Sequence, residues 1–295
     1  MSDRTDGSRP TVIFLHIGKT GGSTLQRILY RHVPASHRLL VKTRPHVPGR
    51  PAREETLRAF AQLPADERAR PALIEGHLIY GIHALIPGPS TYITLLRDPI
   101  ALTISQYRYV CRTTTHPLHQ DAIELGSLDA YVRSGISLET DNSQTRAISG
   151  DRTTPYGDCS SAMLVCAQDH LSASFSVVGI TEEFDASLAL LERAFGWSKL
   201  WYSPVNAAPQ PAHPVPPSTR RFIEDQNRYD LELHAWASAR LQETVASDPV
   251  IEERIDRLRA LNAVYRPWAQ VTYHYPRRVR DAVAGRTRQG APRDV

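Results

Sequence analysis

The stretch that decides the fold is "TVIFLHIGKTGGSTLQRIL", Thr11 to Leu29. It opens with a short apolar run, which indicates a strand, and ends with Leu25, Ile28 and Leu29 at helical spacing. Between them lies Gly-Lys-Thr-Gly-Gly-Ser-Thr. Glycines let backbone N–H groups point into such a turn, and a helix N-terminus carries a partial positive charge. The stretch therefore predicts a strand, an anion-binding turn and a helix, with Lys19 adding a full positive charge.

Two other interpretations of this turn stay open. The nucleoside-triphosphate loop G-x-x-x-x-G-K-[ST] needs a glycine five residues before its Gly-Lys pair. Ile13 occupies that position, and two glycines follow the lysine. The other interpretation is a tight turn that binds nothing, although such a turn has no need for a lysine among its glycines.

Further apolar runs end abruptly in polar residues, at 71–77 and 91–99, and another short strand is predicted at 174–181. Helical patterns follow at 53–63, 100–110 and 182–196, and further helices near 218–245 and 249–262. We predict an α/β fold: a three-layer, P-loop-like core with a central parallel sheet and appended C-terminal helices. Ligands of such sheets sit outside the carboxyl ends of the strands. The Lys19 turn, His77 and Arg97 should then share one edge.

The length, charge and composition of the chain restrict the classes of protein to which it could belong. The chain has 295 residues and a formal net charge of +4, which suits an anionic ligand but is too small to indicate nucleic acid. We expect a disordered N-terminus at 1–9, one domain at 10–275 and a disordered basic tail at 276–295 with six Arg and two Asp. Without a signal peptide or a long apolar run, we expect no membrane span and a cytoplasmic protein. Three cysteines indicate no disulfide framework, and a pairing of Cys159 with Cys166 stays open.

Two motifs together resemble a known family. "FLHIGKTGGSTL", followed about seventy residues later by "YITLLRDPIALTISQYRYV", is similar to the sulfotransferases that use 3′-phosphoadenosine 5′-phosphosulfate. Within them the chain resembles the heparan sulfate 2-O- and 6-O-sulfotransferases. "DNSQTRAISG" and "VVGITEEFDASLALLERAFG" look like later blocks of the 6-O enzymes, so the resemblance covers about 12–245.

The resemblance implies roles for particular residues. The first loop would grip the 5′-phosphosulfate through Lys19, Thr20, Gly21, Gly22, Ser23 and Thr24. Arg97 and Ser105 would hold the 3′-phosphate, and Asn206 would close over the adenine end. A guanidinium suits a phosphate because it donates two parallel hydrogen bonds. No metal is expected, because no clustered His, Cys or carboxylate pattern is visible.

The chemistry also needs a group to take the acceptor's proton. We predict His77, which closes the apolar run "ALIEGH", as the base, with Lys19 neutralising charge on the leaving oxygen. "EGH" resembles the 2-O branch and "GIH" the 6-O branch, so His83 is the alternative base. Glu75 is a third candidate.

The sequence does not identify the acceptor beyond a small molecule, lipid or saccharide that carries a hydroxyl group. His83, Tyr109, Gln144 and Arg146 are candidates to line its cleft, although Gln144 and Arg146 fit equally well as packing residues. Heparan sulfate enzymes have a membrane anchor and disulfides, so their polysaccharide substrate is not carried over; the Ala- and Arg-rich composition suggests a bacterial source. The oligomeric state stays open. A nucleotide-dependent kinase and a nonenzymatic nucleotide-binding protein are the alternative functions.

Overall fold

The computed structural model describes residues 10–41, 55–151, 153–204 and 215–269, with side chains from 58 onward in the second range. The strands are β1 (Thr11–Leu15), β2 (Arg38–Val41), β3 (Leu73–Gly76), β4 (Ser90–Leu96) and β5 (Phe175–Ile180). The helices are α1 (Gly22–Leu29), α2 (Glu55–Gln62), α3 (Ala65–Ala69), α4 (Pro99–Arg112), α5 (His119–Leu125), α6 (Leu128–Arg133), α7 (Ser143–Ser149), α8 (Ser161–Ser174), α9 (Phe184–Phe195), α10 (Pro217–Gln226), α11 (Arg228–Ala246) and α12 (Pro249–Ala269).

The described strands form one five-stranded sheet in the order β2-β3-β1-β4-β5, and every pairing is parallel. Each strand but the first is reached by a crossover connection, as parallel pairing requires. The predicted α/β class with a parallel sheet is confirmed. The expected N-terminus at 1–9 and the basic tail at 276–295 lie outside the described residues.

Helices cover both faces of the sheet. Phe14 of β1 packs on one face with Leu25 and Ile28 of α1, whereas Ile13 packs on the other with side chains of α7, α8 and α11. This alternation follows from the two-residue period of a strand. Burying each large aliphatic side chain of α1 contributes about 1.5–3 kcal/mol. The α1 face therefore fixes the helix N-terminus directly beyond the end of β1.

The C-terminal helices are tied to the core by two exchanged caps. The Asp230 carboxylate of α11 accepts the backbone N–H groups of Gln144 and Thr145 at 3.0 and 2.7 Å, in the first turn of α7. In return, Asn142 Oδ1 accepts the N–H groups of Tyr229 and Asp230 at 3.0 and 3.1 Å, in the first turn of α11. Each helix thus satisfies N–H groups that the other leaves without an intrahelical partner.

The helical pattern predicted near 218–245 is divided at Asn227 into α10 and α11. The Asn227 side chain accepts from the backbone N–H of Asn142 at 2.9 Å and donates to the carbonyl of Thr140 at 3.1 Å. The break therefore comes from a tertiary contact with the segment before α7, which helical periodicity cannot indicate.

Candidate active site

The predicted functional residues converge at the carboxyl edge of the sheet. The Lys19 loop follows β1, His77 follows β3 and Arg97 follows β4. The Arg97 Nη1 donates to the backbone carbonyl of Lys19 at 2.7 Å, and Thr181, after β5, donates through Oγ1 to the carbonyl of Thr20 at 2.7 Å. Two neighbouring strand ends therefore hold the loop by its carbonyl groups.

The loop backbone takes a left-handed form at two positions. Lys19 has φ 67° and Gly21, the N-cap residue directly before α1, has φ 81°. Gly21 adopts this conformation without strain, but a lysine there costs conformational energy, which is typical of functional loops. Gly22 and Ser23 begin α1, where the first N–H groups lack intrahelical partners, and Thr24 lies in the same turn. Thr20 is fully buried and its hydroxyl donates to the carbonyl of Ile17 at 2.9 Å.

Lys19 lies in a strongly positive environment. Burial, then the nearby charges of Arg112 and Arg97, lower the pKa of Lys19 to about 8, against a smaller opposing effect of Glu139. Its ammonium lies 4.3 Å from the centre of the Tyr109 ring on α4. This arrangement has an excess of positive charge, which a bound anion would relieve.

Arg97 owes its position to the local sequence "RDP". Asp98 caps α4 by accepting the backbone N–H of Ala101 at 2.7 Å, and Pro99 occupies the first turn, where its missing N–H costs nothing. The carboxylate is thereby used as a cap. The Arg97 Nε is buried and has no hydrogen-bond partner among the described residues. Such a buried donor is the kind of group that a phosphate oxygen would satisfy.

Two further predicted residues lie on the α4 side of the loop. Ser105 and Tyr109 are four residues apart on α4, and both are half-buried. That spacing puts them on the same face of the helix, which is the face that carries the Lys19 contact. Ser105 lies on this face, and its role toward the 3′-phosphate stays a prediction. Asn206 lies outside the described residues, and its predicted role stays a prediction.

His77 is exposed at the carboxyl end of β3, and its Nδ1 lies 2.8 Å from the carbonyl oxygen of His16. A carbonyl only accepts, so Nδ1 carries the proton, and Nε2 is the nitrogen of the neutral ring that can take one up. A Cβ added to Gly18 would lie 4.0 Å from His77 Cε1, which puts the imidazole beside the loop.

His83 lies elsewhere. It belongs to a short 3-10 helix, Ile82–Leu85, and its Nδ1 contacts the hydroxyl of Tyr92 at 3.0 Å. Tyr92 lies near the start of β4, so His83 is at the amino edge of the sheet, opposite the loop. The structure does not bring His83 to the predicted site. Glu75 is fully buried inside β3, where Tyr30 donates a hydrogen bond to its carboxylate and burial raises its pKa.

The side chains of Gln144 and Arg146 have different hydrogen-bond partners. The Gln144 side chain pairs with the backbone of Arg97, accepting its N–H and donating to its carbonyl, both at 2.9 Å. Arg146 is 1% exposed, forms an ion pair with Asp141 and donates to the carbonyls of Thr154 and Pro155. This placement corrects the acceptor-lining role predicted for Arg146, because its guanidinium is fully engaged in packing the helix; Gln144 supports Arg97 instead.

The sequence prediction missed His16. This residue directly follows β1, is half-buried and stacks on Phe14, with ring centres 5.1 Å apart. The available signal was a histidine in an otherwise apolar run ahead of the glycine loop. Within the described ranges, no group of three or more His, Cys, Asp or Glu lies close enough to hold a metal ion. None of the described helices has the length and apolar character needed to cross a bilayer.

Comparison with known proteins identifies relatives of this chain. A family model described as galactose-3-O-sulfotransferase matches residues 3–208, more than two thirds of the chain. Human galactose-3-O-sulfotransferase 3 is 27% identical over 250 residues, which cover 80% of this chain and 57% of that protein. Zebrafish (Danio rerio) heparan-sulfate 6-O-sulfotransferase 2 is 26% identical over 314 residues, covering 88% of this chain and 65% of that protein.

A solved sulfotransferase from Alicyclobacillus acidocaldarius is 16% identical with a TM-score of 0.39, and the match covers 78% of this chain and 96% of that one. The chain spans less than two thirds of the length of the curated relatives named above. The predicted sulfotransferase resemblance is confirmed, and the matching family model names galactose-3-O enzymes where the motifs had suggested the heparan sulfate branch. The chain belongs to the galactose-3-O-sulfotransferase family.

Proposed function

We propose that this protein transfers a sulfuryl group from 3′-phosphoadenosine 5′-phosphosulfate to a hydroxyl group of a saccharide. The observation that carries the proposal is the cluster of cations at the loop, where burial and then the charges of Arg112 and Arg97 lower the pKa of Lys19 to about 8. A nucleotide with two anionic groups, a 5′-phosphosulfate and a 3′-phosphate, would supply the balancing negative charge. The relatives' names support a sugar hydroxyl as acceptor, and small-molecule and lipid hydroxyls are the alternatives.

The residues present fit this donor. The N–H groups at the start of α1 and the Lys19 ammonium suit the 5′-phosphosulfate. The buried Arg97 Nε, which has no partner among the described residues, suits the 3′-phosphate, and Ser105 lies on the face of α4 that contacts Lys19. The nucleotide itself supplies the sulfuryl group and a stable leaving group.

The protein's own part in the reaction is positioning, charge neutralisation and proton transfer. The acceptor oxygen forms the new bond to sulfur while the bond from sulfur to the phosphate oxygen breaks, and the electron pair leaves with the nucleotide. Lys19 stabilises the negative charge that builds on that oxygen. The hydroxyl proton passes to Nε2 of His77, since Nδ1 is engaged with the His16 carbonyl.

The alternative functions have less support. A kinase of the nucleoside-triphosphate loop class would need the glycine that Ile13 replaces within β1. A nonenzymatic nucleotide-binding protein would have no use for a base such as His77 beside the loop. Metal independence, a cytoplasmic location and a bacterial source remain predictions from the sequence.

The test is calorimetric titration of the purified protein, in the presence of a chelator, with 3′-phosphoadenosine 5′-phosphate and with adenosine 5′-phosphate. We expect the 3′-phosphate to strengthen binding by a factor of ten or more, since hydrogen bonds to charged groups contribute about 1.5–3 kcal/mol each. Arg220→Gln, which alters an exposed ion pair with Glu224, serves as the control and should bind like the parent. Equal affinity for the two nucleotides, or tight binding only of ATP with magnesium in a parallel titration without chelator, would overturn the proposal.

A further inference from the structure

His16 is joined through its backbone to the strand that carries His77. Its N–H donates to the carbonyl of Gly76 at 3.0 Å, which continues the β1–β3 pairing by one step. Its carbonyl oxygen then accepts Nδ1–H of His77 at 2.8 Å. The proton position on His77 is therefore set by a backbone atom that the sheet holds in place.

The His16 ring fills the space between His77 and the start of α1. Its centre lies 4.5 Å from that of His77, with the planes 32° apart, and Phe14 stacks at 5.1 Å. A Cβ on Gly22 would lie 2.2 Å from both Cδ2 and Nε2 of the His16 ring. Such a contact is far below van der Waals distance, so the ring occupies this place only because residue 22 is glycine.

The ring is also uncharged. Burial, then the proximity of His77 and Lys19, lowers the pKa of His16 to about 3. An imidazolium here would repel both the lysine and the charged form of His77. A neutral aromatic ring instead contacts His77 without competing for the proton that the proposed reaction delivers to it.

We propose that His16 is a positioning residue for His77: its carbonyl fixes the proton on Nδ1, and its ring holds the His77 imidazole beside the donor loop. This inference rests on the proposed function only for its effect on turnover. The placement of His77 can be tested without any nucleotide or acceptor.

The first experiment follows the ring nitrogens of His77 by NMR in ¹⁵N-histidine-labelled protein without ligand, with the signal assigned from a His77→Gln variant. In the parent we expect one species with the proton on Nδ1. His16→Ala keeps the carbonyl but removes the ring, so His77 should become a mixture that includes the Nε2–H form. His16→Phe retains a ring that stacks and should keep the Nδ1–H species. Gly22→Ala, which pushes the ring aside, should resemble His16→Ala.

Histidine 170 offers a matched control. Its Nδ1 contacts the carbonyl of Ile148 on α7 at 2.8 Å, and its ring stacks on Tyr80, between β3 and β4, with centres 3.6 Å apart. His170→Ala should lower the melting temperature and leave the His77 signals unchanged. If His16→Ala also leaves the His77 signals unchanged, or if His170→Ala alters them equally, the positioning role is refuted.

The second experiment measures kcat and KM for the donor with an active acceptor. Misplacing a reacting group by about 1 Å can cost up to about a hundredfold in rate, so we expect His16→Ala to lose about tenfold to a hundredfold in kcat with little change in donor KM. His16→Phe should retain most of the turnover. Equal losses in both variants would overturn the role of the ring. A fully active His77→Ala enzyme would instead refute His77 as the proposed base. The NMR experiment would still decide whether His16 positions the His77 ring.

Discussion

The Lys19 loop and the segment that begins α7 are both rich in polar side chains, but they differ in how those side chains are satisfied. At the loop, Lys19 has a depressed pKa and Arg97 Nε has no partner among the described residues. At the start of α7, Arg146 donates to a carboxylate and three carbonyls, and Asp230 caps backbone N–H groups. The unpartnered Arg97 Nε therefore lies in the proposed ligand site, whereas the paired groups at the start of α7 hold the helices together.

Replacing Arg146 by Met should have the largest effect on stability. It would leave the Asp141 carboxylate, which is 0% exposed, without its cation, and removing one partner of a buried pair typically costs about 3–5 kcal/mol. Arg133→Met breaks an exposed pair with Asp129 and should cost at most about 1 kcal/mol. Urea denaturation of both variants measures the difference. Similar losses in the two would show that the α7 segment is not the satisfied network described above.

Lys19→Ala should affect catalysis more than binding, because the charge that Lys19 meets is largest in the transition state. Removing one preorganised donor typically lowers turnover about a hundredfold or more. The measurement is kcat at saturating donor, with nucleotide affinity determined in parallel. Near-normal turnover in this variant would restrict Lys19 to a binding role.

Arg97→Ala should reduce the preference for a nucleotide with a 3′-phosphate. Losing one charge-assisted hydrogen bond is expected to cost about 1.5–3 kcal/mol in affinity for 3′-phosphoadenosine 5′-phosphate, with little change for adenosine 5′-phosphate. Titration calorimetry with both nucleotides gives the ratio. A variant that loses the two affinities equally would mean that Arg97 supports only the loop carbonyl.

Nucleotide binding should weaken as pH rises through about 8. The free protein holds the Lys19 pKa near 8, and a bound anion raises that pKa, so binding above pH 8 takes up a proton. Affinity should then fall by up to about tenfold per pH unit. Calorimetry in two buffers of different ionisation enthalpy measures the uptake, which Lys19→Gln should abolish. By the same linkage, the nucleotide-free protein gains stability between pH 8 and 10.5, because the unfolded chain binds the proton more tightly there.

Gln144→Leu tests whether the α7 segment contributes to the site, and it should have the smallest effect on nucleotide affinity. It removes the two amide bonds to the Arg97 backbone, at a cost of about 1 kcal/mol per bond. We expect a modest loss of nucleotide affinity together with a modest fall in melting temperature. A change in stability without any change in affinity would separate the α7 segment from the site.

The sequence predicted the parts of the molecule that depend on local pattern. The strand, glycine turn and helix at Thr11–Leu29 and the "RDP" turn before α4 follow from periodicity and capping chemistry, and parallel strands explain why Lys19, His77 and Arg97 share an edge. The packing role of Arg146 depends on carbonyls at 154 and 155 and on a buried carboxylate, none of which a helical pattern reveals. The His16 stack likewise arises only when β1, β3 and α1 meet.

The caps exchanged between Asn142 and Asp230 bear on how the protein folds. They join residues that are 85 to 88 positions apart, so neither α7 nor α11 has its first turn completed until the chain beyond Arg228 has been synthesised and has docked. We therefore expect the two helices to unfold together as one cooperative unit and to show matching hydrogen-exchange protection. Contacts of such long sequence separation also slow folding, because the loop between them must close first. On this view the docking of the C-terminal helices is coupled to the donor site, since Gln144, whose N–H group Asp230 caps, is also the residue that pairs with the Arg97 backbone.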